Sequence, residues 1–364
     1  MNHELNVTYI TLDGYLEVSK YRYVYFTVML VAYILIVCSN FTIVCIIVSH
    51  RNLHEPMFVF IAALLINSVL FSTMIYPKLI TDILSKEQIT SYQTCLFQWF
   101  LYYFLGGSEF FLLAAMAYDR YVSICKPLLY PTIMTKTTVS IFLLLSWLLL
   151  ICVTAVPVVL SANTKLCNFT FKGIICSSTV QKLRCVRSIV LHIYGLVAVV
   201  VVIVFPVLFI VFTYIRIFII SYRSCREVRT KAAQTCLPHL LVLLYFSCLI
   251  AFDIILTRLD FDFPKSVRLI MTLQVIVCEP LFNPIIYGLK MKEINKHLKI
   301  SFRKLSKQAN DPPADTRTGY RLSSPAPHDC LSAASSGSSR EFYIYMTACS
   351  VRGCGGELLL LGRF

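Results

Sequence analysis

Asp119 and Arg120 stand side by side in "LAAMAYDRYVSICKPLLY", Leu113 to Tyr130, at the end of an almost charge-free run that begins near Cys95. A charge near a hydrocarbon boundary is costly unless paired or hydrated, so an acid beside a base there can form a closed ion pair. Two more acids, Glu109 and Glu279, lie inside apolar runs. Carboxyl groups in a low dielectric either share a proton or bind a cation once they are brought together. The fifteen cysteines form no CxxC pair. Cys38, Cys45, Cys152 and Cys248 fall within apolar runs and read as small packing residues. Cys95, Cys167, Cys176 and Cys185 fall between or at the ends of such runs, and read as facing an oxidising compartment. Four cysteines can pair in three ways, and their spacing does not choose among them. There is no HExxH, GxSxG or P-loop pattern, and the isolated His192 and His239 read as helix-facing or interfacial, so neither an enzyme nor a metal or cofactor site is expected.

The elements that must hold these residues are membrane helices. Hydrophobic residues make up 57% of the 364-residue chain and charged ones only 14%, with a mean hydropathy of +0.73, a balance foreign to soluble domains. Apolar runs occupy Tyr23 to Val48, Met57 to Leu79, Leu96 to Met116, Val139 to Leu160, Ile189 to Ile220, Leu237 to Leu256 and Leu269 to Leu289. Each is long enough to cross a hydrocarbon core of about 30 Å as a helix. No ten-residue alternation suggests a barrel. The fold class is therefore an all-α membrane protein, a bundle of seven transmembrane helices.

Residues 1–22 are polar and lack a cleavable signal pattern, so they are expected to be an extracellular segment, with Asn6-Val-Thr8 a glycosylation acceptor. The Lys and Arg distribution leans slightly the same way, N-terminus outside and C-terminus in the cytoplasm. The formal charge of +14 sits beside the membrane spans, at Arg223 to Lys231 and Lys290 to Lys307. It therefore reads as contact with anionic lipid, and no nucleic-acid partner is expected. Ile294, Leu298, Phe302 and Leu305 recur at helical spacing between basic residues, which predicts a short amphipathic helix on the membrane surface. The membrane-spanning body, with its surface helix, spans 23–308, and 309–364, rich at first in Pro, Ser and Ala, is expected to be a disordered cytoplasmic tail.

Five motifs occur in order: "LHEPMF" at Leu53, "MAYDRYVSIC" at Met116, "TYIRI" at Thr213, "KAAQTCLPHL" at Lys231 and "NPIIYGLK" at Asn283. Together the chain resembles a rhodopsin-like G-protein-coupled receptor, and within that group a vertebrate odorant receptor with a fish-like flavour. The resemblance implies a plasma-membrane protein that binds a small-molecule odorant and activates a stimulatory olfactory-type heterotrimeric G protein, raising cyclic AMP. It gives Asp119, Arg120 and Tyr121, Asn40, Asn283, Pro284 and Tyr287, and Lys231 and His239 roles in activation and coupling. Pro284 removes a backbone hydrogen bond and favours a bend. Pro238 departs from the family pattern. The resemblance also implies that Cys95 pairs with Cys176 and Cys167 with Cys185, the first tying a loop over the ligand pocket.

Ligand contacts are expected at Tyr102, Tyr103, Gly106 and Gly107, with the glycines read equally as helix packing. Asp253 is expected either to meet a cationic ligand group or, as the favoured reading, to pair with Arg258 or Lys265. Where the family has an acid in the second helix this chain has Ser68. The resemblance places Glu109 and Glu279 beside that position, so Ser68, Glu109, Glu279 and Asn283 form a candidate relocated cation or proton site. The alternatives are a non-odorant chemoreceptor and, because acids inside membranes mark ion paths, an ion-conducting protein. Nothing in the residues decides whether the chain forms a homo-oligomer.

Overall fold

The computed structural model describes residues 8–16, 18–186, 188–222, 236–237, 240–251, 264–291, 293–300 and 303. Helix α1 spans Val18–Ser49, α2 Pro56–Leu84, α3 Tyr92–Cys125, α4 Lys136–Ala162 and α5 Ile189–Tyr222. They are followed by α6, Leu240–Ala251, α7, Lys265–Lys290, and α8, residues 293–300. Among the described residues six helices are long and apolar enough to cross a membrane, and α6 is a shorter apolar one. Together they form the seven-helix membrane bundle. The turns that start the helices are built locally: Ser91, Thr135 and Ser188 accept the amides of Thr94, Thr138 and Leu191 at 3.1, 3.2 and 3.4 Å. Helix α3 ends at Cys125 because Pro127 disfavours a helical Lys126. Helix α1 begins at Val18, ahead of the apolar run, but Tyr21 breaks helical geometry, so the regular helix starts where hydrophobicity does.

Helix α3 is the axis. Its residues Leu112, Met116 and Ala117 are fully buried in a core with α1, α2, α5 and α6, whereas α4 and α5 keep most of their apolar side chains on the lipid-facing surface. A second core gathers Ile36, Phe71, Tyr76, Tyr102 and Ile276 nearer the other end.

One end of the bundle carries a small sheet that helical periodicity does not announce. Strand β1 (Tyr9–Leu12) lies between β2 (Ile89–Ser91), antiparallel, and β3 (Thr170–Phe171), parallel. Ile10 and Leu12 point down into a third core with Trp99, Phe171 and Val180, as the two-residue period of a strand requires. Gly14 continues the strand against Gly173, where a Cβ would sit 2.3 Å from a backbone carbon, so only glycine fits. Lys265 at the start of α7 holds Asp13 at 2.5 Å. Residues 8–16 are thereby a lid fastened to two loops and a helix.

Prolines shape the helices in a repeated way. A proline inside a helix lacks the N–H that would bond the carbonyl four residues earlier, and in hydrocarbon that carbonyl needs another donor. Pro284 frees the Pro280 carbonyl, which accepts Asn40 Nδ2 of α1 at 2.9 Å. Pro280 frees the Ile276 carbonyl, which accepts the Tyr76 hydroxyl of α2 at 3.2 Å. Pro157 frees the Val153 carbonyl, which accepts the Tyr194 hydroxyl of α5 at 2.8 Å. In α5, a π-helical turn at Val200–Val204 precedes Pro206.

Candidate functional site

At the end opposite the lid, Asp119 is fully buried and holds Arg120 through both Nε, at 3.0 Å, and a terminal guanidinium nitrogen. Its other oxygen accepts the Tyr130 hydroxyl at 2.8 Å. Tyr130 lies in the turn after α3; burial first, then the Asp119 carboxylate, raises its hydroxyl above the usual phenol range. It therefore stays a proton donor. Tyr214 of α5 is buried in the same core as Cys236 and Tyr287 of α7, so α3, α5 and α7 converge with Cys236 on this end. Tyr121 is half-buried beside the same core.

Halfway along the bundle lies a polar cluster in which every member is at least 95% buried. Asn283 of α7 donates to Ser68 Oγ at 3.0 Å, and Ser68 lies 3.4 Å from Glu109 Oε1. The Glu109 and Glu279 carboxyl groups are within hydrogen-bonding reach of each other. Asn67 joins through the Leu105 carbonyl at 2.9 Å. Asn40 Oδ1, Asn67 Oδ1, Glu109 Oε2 and Glu279 Oε1 meet no N–H or O–H donor among the described residues. The structure thus brings together all four residues of the expected cluster and ties four helices around them: Asn40 joins α1 to α7, and Ser68 joins α2 to α3 and α7.

Below the lid a cavity of about 140 Å³ opens between α3, α4, α5, α6 and α7. Tyr102, Tyr103, Gly106 and Gly107 all line it, with Phe110 and Phe246 as its floor, their rings 4.8 Å apart. The two glycines differ. A Cβ on Gly106 would meet nothing within 4 Å, whereas one on Gly107 would sit 2.6 Å from Leu150 Cδ1 and 3.1 Å from Val202 Cγ1. Gly106 leaves space; Gly107 lets α4 and α5 approach α3. The roof is the short helix Ser178–Leu183, whose Ser178 Oγ pairs with the Tyr103 hydroxyl at 2.8 Å. Cys95 is bonded to Cys176, and Cys167 to Cys185, so both ends of the roof are covalently anchored. Among the described residues no charged side chain lines the cavity; its polar side-chain groups are hydroxyls, the Gln181 amide and the Trp99 indole N–H.

Asn6, Lys231, His239, Asp253 and Arg258, and the tail 309–364, lie outside the described residues. Lys265, one suggested partner of Asp253, is bonded to Asp13. Sequence reasoning missed Tyr130, Tyr76 and Tyr194. The proline four residues beyond each freed carbonyl is the signal for the last two, though it names the acceptor without its donor.

The comparisons agree with this architecture. A family model described as olfactory receptor matches residues 29–304. Human olfactory receptor 10A5 is 33% identical over 294 residues, covering 77% of this chain and 89% of the relative. Human olfactory receptor 6C70 is 30% identical over 310 residues, 84% and 97% of the two chains. Rat olfactory receptor 1500 is 31% identical over 288 residues, 77% and 90%. With the seven-helix bundle, the ion pair on α3 and a match across most of its length, the chain belongs to the olfactory receptor family of rhodopsin-like G-protein-coupled receptors, multi-pass membrane proteins and not an enzyme class.

Proposed function

We propose that this receptor binds a small uncharged odorant in the cavity under Ser178–Leu183 and couples to a stimulatory, olfactory-type G protein, raising cyclic AMP. The observation that carries the ligand class is the lining. An ammonium or carboxylate there would be desolvated with no countercharge among the described residues. Aromatic and aliphatic walls favour an apolar body, and Tyr103, Ser178 and Gln181 offer one polar corner. The volume resembles the ~150 Å³ apolar cavity that holds benzene. The N-terminal lid faces outside and the Asp119 end faces the cytoplasm of a plasma-membrane receptor.

In the resting bundle Asp119 keeps Arg120 closed. Odorant binding favours a second helix arrangement by its differential affinity, with α7 swinging at the Pro280 and Pro284 carbonyls. Arg120 is then freed toward the G protein, and Tyr121, Asn283 and Tyr287 repack. The Ser68, Glu109, Glu279 and Asn283 cluster serves as a cation or proton site that steadies the resting form. Glu279→Gln should change basal signalling or its sodium dependence; if both stay as they were, that role is wrong.

The coupling is tested by nucleotide exchange on purified G proteins of each class, with receptor in lipid nanodiscs. Preference for the stimulatory class, lost in Arg120→Ala at equal receptor amount, is the expected result. Exchange that is indifferent to Arg120, or confined to another class, contradicts it.

A further inference from the structure

Of the three proline-freed carbonyls seen to accept a side-chain donor, two are satisfied deep in the bundle and the third at its surface. Tyr194 and the Val153 carbonyl meet across the seam between α4 and α5. These two helices each pack along α3, and they touch one another chiefly through Ile189–Val199. Val159 and Leu160 on α4, and Ile193 and Val197 on α5, are all more than half exposed, as lipid-facing side chains are. Yet their neighbours Val153, Pro157, Tyr194, Gly195 and Ala198 line the cavity while remaining only half-buried. The cavity wall and the lipid-facing surface are therefore the same layer of side chains, and Gly195 and Ala198 make that layer thin.

The roof is held far more firmly. It carries a disulfide just outside each end, Leu183 accepts the amides of Cys167 and Asn168 at 3.0 and 3.1 Å, and Val180 and Leu183 are buried against the lid strands.

We propose that the α4–α5 seam is a lateral gate through which an uncharged ligand passes between the lipid and the cavity, with the Tyr194–Val153 hydrogen bond as its latch. The idea rests on the cavity being the ligand site. Opening the seam leaves the Val153 carbonyl without a donor in hydrocarbon, so the gate closes again by itself. A ligand concentrated in the bilayer by its own hydrophobicity meets this seam without disturbing the lid.

Trp99 lines the cavity and is one of two tryptophans, so Trp147→Phe leaves it as the only reporter. The full-length Trp147→Phe protein in nanodiscs would be mixed rapidly with bromobenzene, a neutral heavy-atom quencher, and then washed. Adding Tyr194→Phe should speed both onset and washout, by between about two- and tenfold for one lost hydrogen bond. Gly195→Leu should slow both. Rates unchanged by either substitution would overturn the gate, as would acceleration only in Asp13→Asn, which frees the lid from Lys265. Absence of saturable quenching in the Trp147→Phe parent would overturn the cavity reading, and the gate with it.

Discussion

Asp119 spends its two oxygens on two different partners, Arg120 and Tyr130, and that division sets what each substitution does. Asp119→Asn keeps the size but loses the charge that holds Arg120, so basal cyclic AMP, corrected for surface display, should rise. The rise should be about fivefold for each kcal/mol of resting-state preference lost, with 1–3 kcal/mol expected for a charged hydrogen bond. Tyr130→Phe should raise it less, since the ion pair survives. A basal level equal to wild type in Asp119→Asn would mean the pair does not hold the resting state. The glycines make a second residue-scale contrast. Gly107→Ala should destabilise the purified receptor by about 1–3 kcal/mol through collision with Leu150, lowering its thermal midpoint, while Gly106→Ala should leave that midpoint in place. Equal midpoints for the two variants would contradict the assignment.

Among the elements, α7 is tied to its neighbours through carbonyls that its own prolines release. Asn40→Ala strands the Pro280 carbonyl in the interior and should cost about 1–3 kcal/mol of thermal stability; a loss-free variant would show that the tie is incidental. Helix α8 docks by a different chemistry. His297 meets His50 at a tilt, with ring centres 4.1 Å apart and planes 51° from parallel, and lies 3.2 Å from Asn52 Nδ2. Burial first, then His50 and Lys296, lowers the His297 value below its ordinary 6.5. A depressed imidazole stabilises the docked form above that ordinary value, and the contribution is lost as pH falls through it. The protection of amides 293–300 against hydrogen exchange, corrected for the intrinsic pH dependence, should therefore fall below about pH 6.5, and His297→Gln should flatten the dependence. The helices themselves were legible, because an apolar run long enough to span lipid has few alternatives. Strand β1 was not. Four residues, Tyr9 to Leu12, carry too short an alternation, and their partners Ile89–Ser91 and Thr170–Phe171 lie in two distant loops. The paired glycines were ambiguous for a related reason: neighbouring positions on a helix face different elements, and only packing shows that Gly107 meets Leu150 while Gly106 meets space.

Across the whole molecule, the lid, the cavity and the Asp119 end lie in line along α3, with the polar cluster of Glu109 and Glu279 between cavity and ion pair. A ligand that presses on Gly106 acts one helical turn from Glu109, and one that presses on Phe110 acts on its sequence neighbour, so a signal need cross only the packed length of one helix to reach Arg120. On the proposed function, the cavity is the controlling site of the receptor. The most direct test is the cyclic AMP response of cells displaying the receptor to a panel of small neutral aromatics, alcohols and ketones beside amines and amino acids, with Gly106→Leu in parallel at equal display. Responses confined to neutral compounds, and lost or shifted to smaller ones in Gly106→Leu, are the predicted result. A response to charged compounds alone, or one that Gly106→Leu leaves untouched, would contradict the claim that the cavity under Ser178–Leu183 is where this receptor reads its ligand.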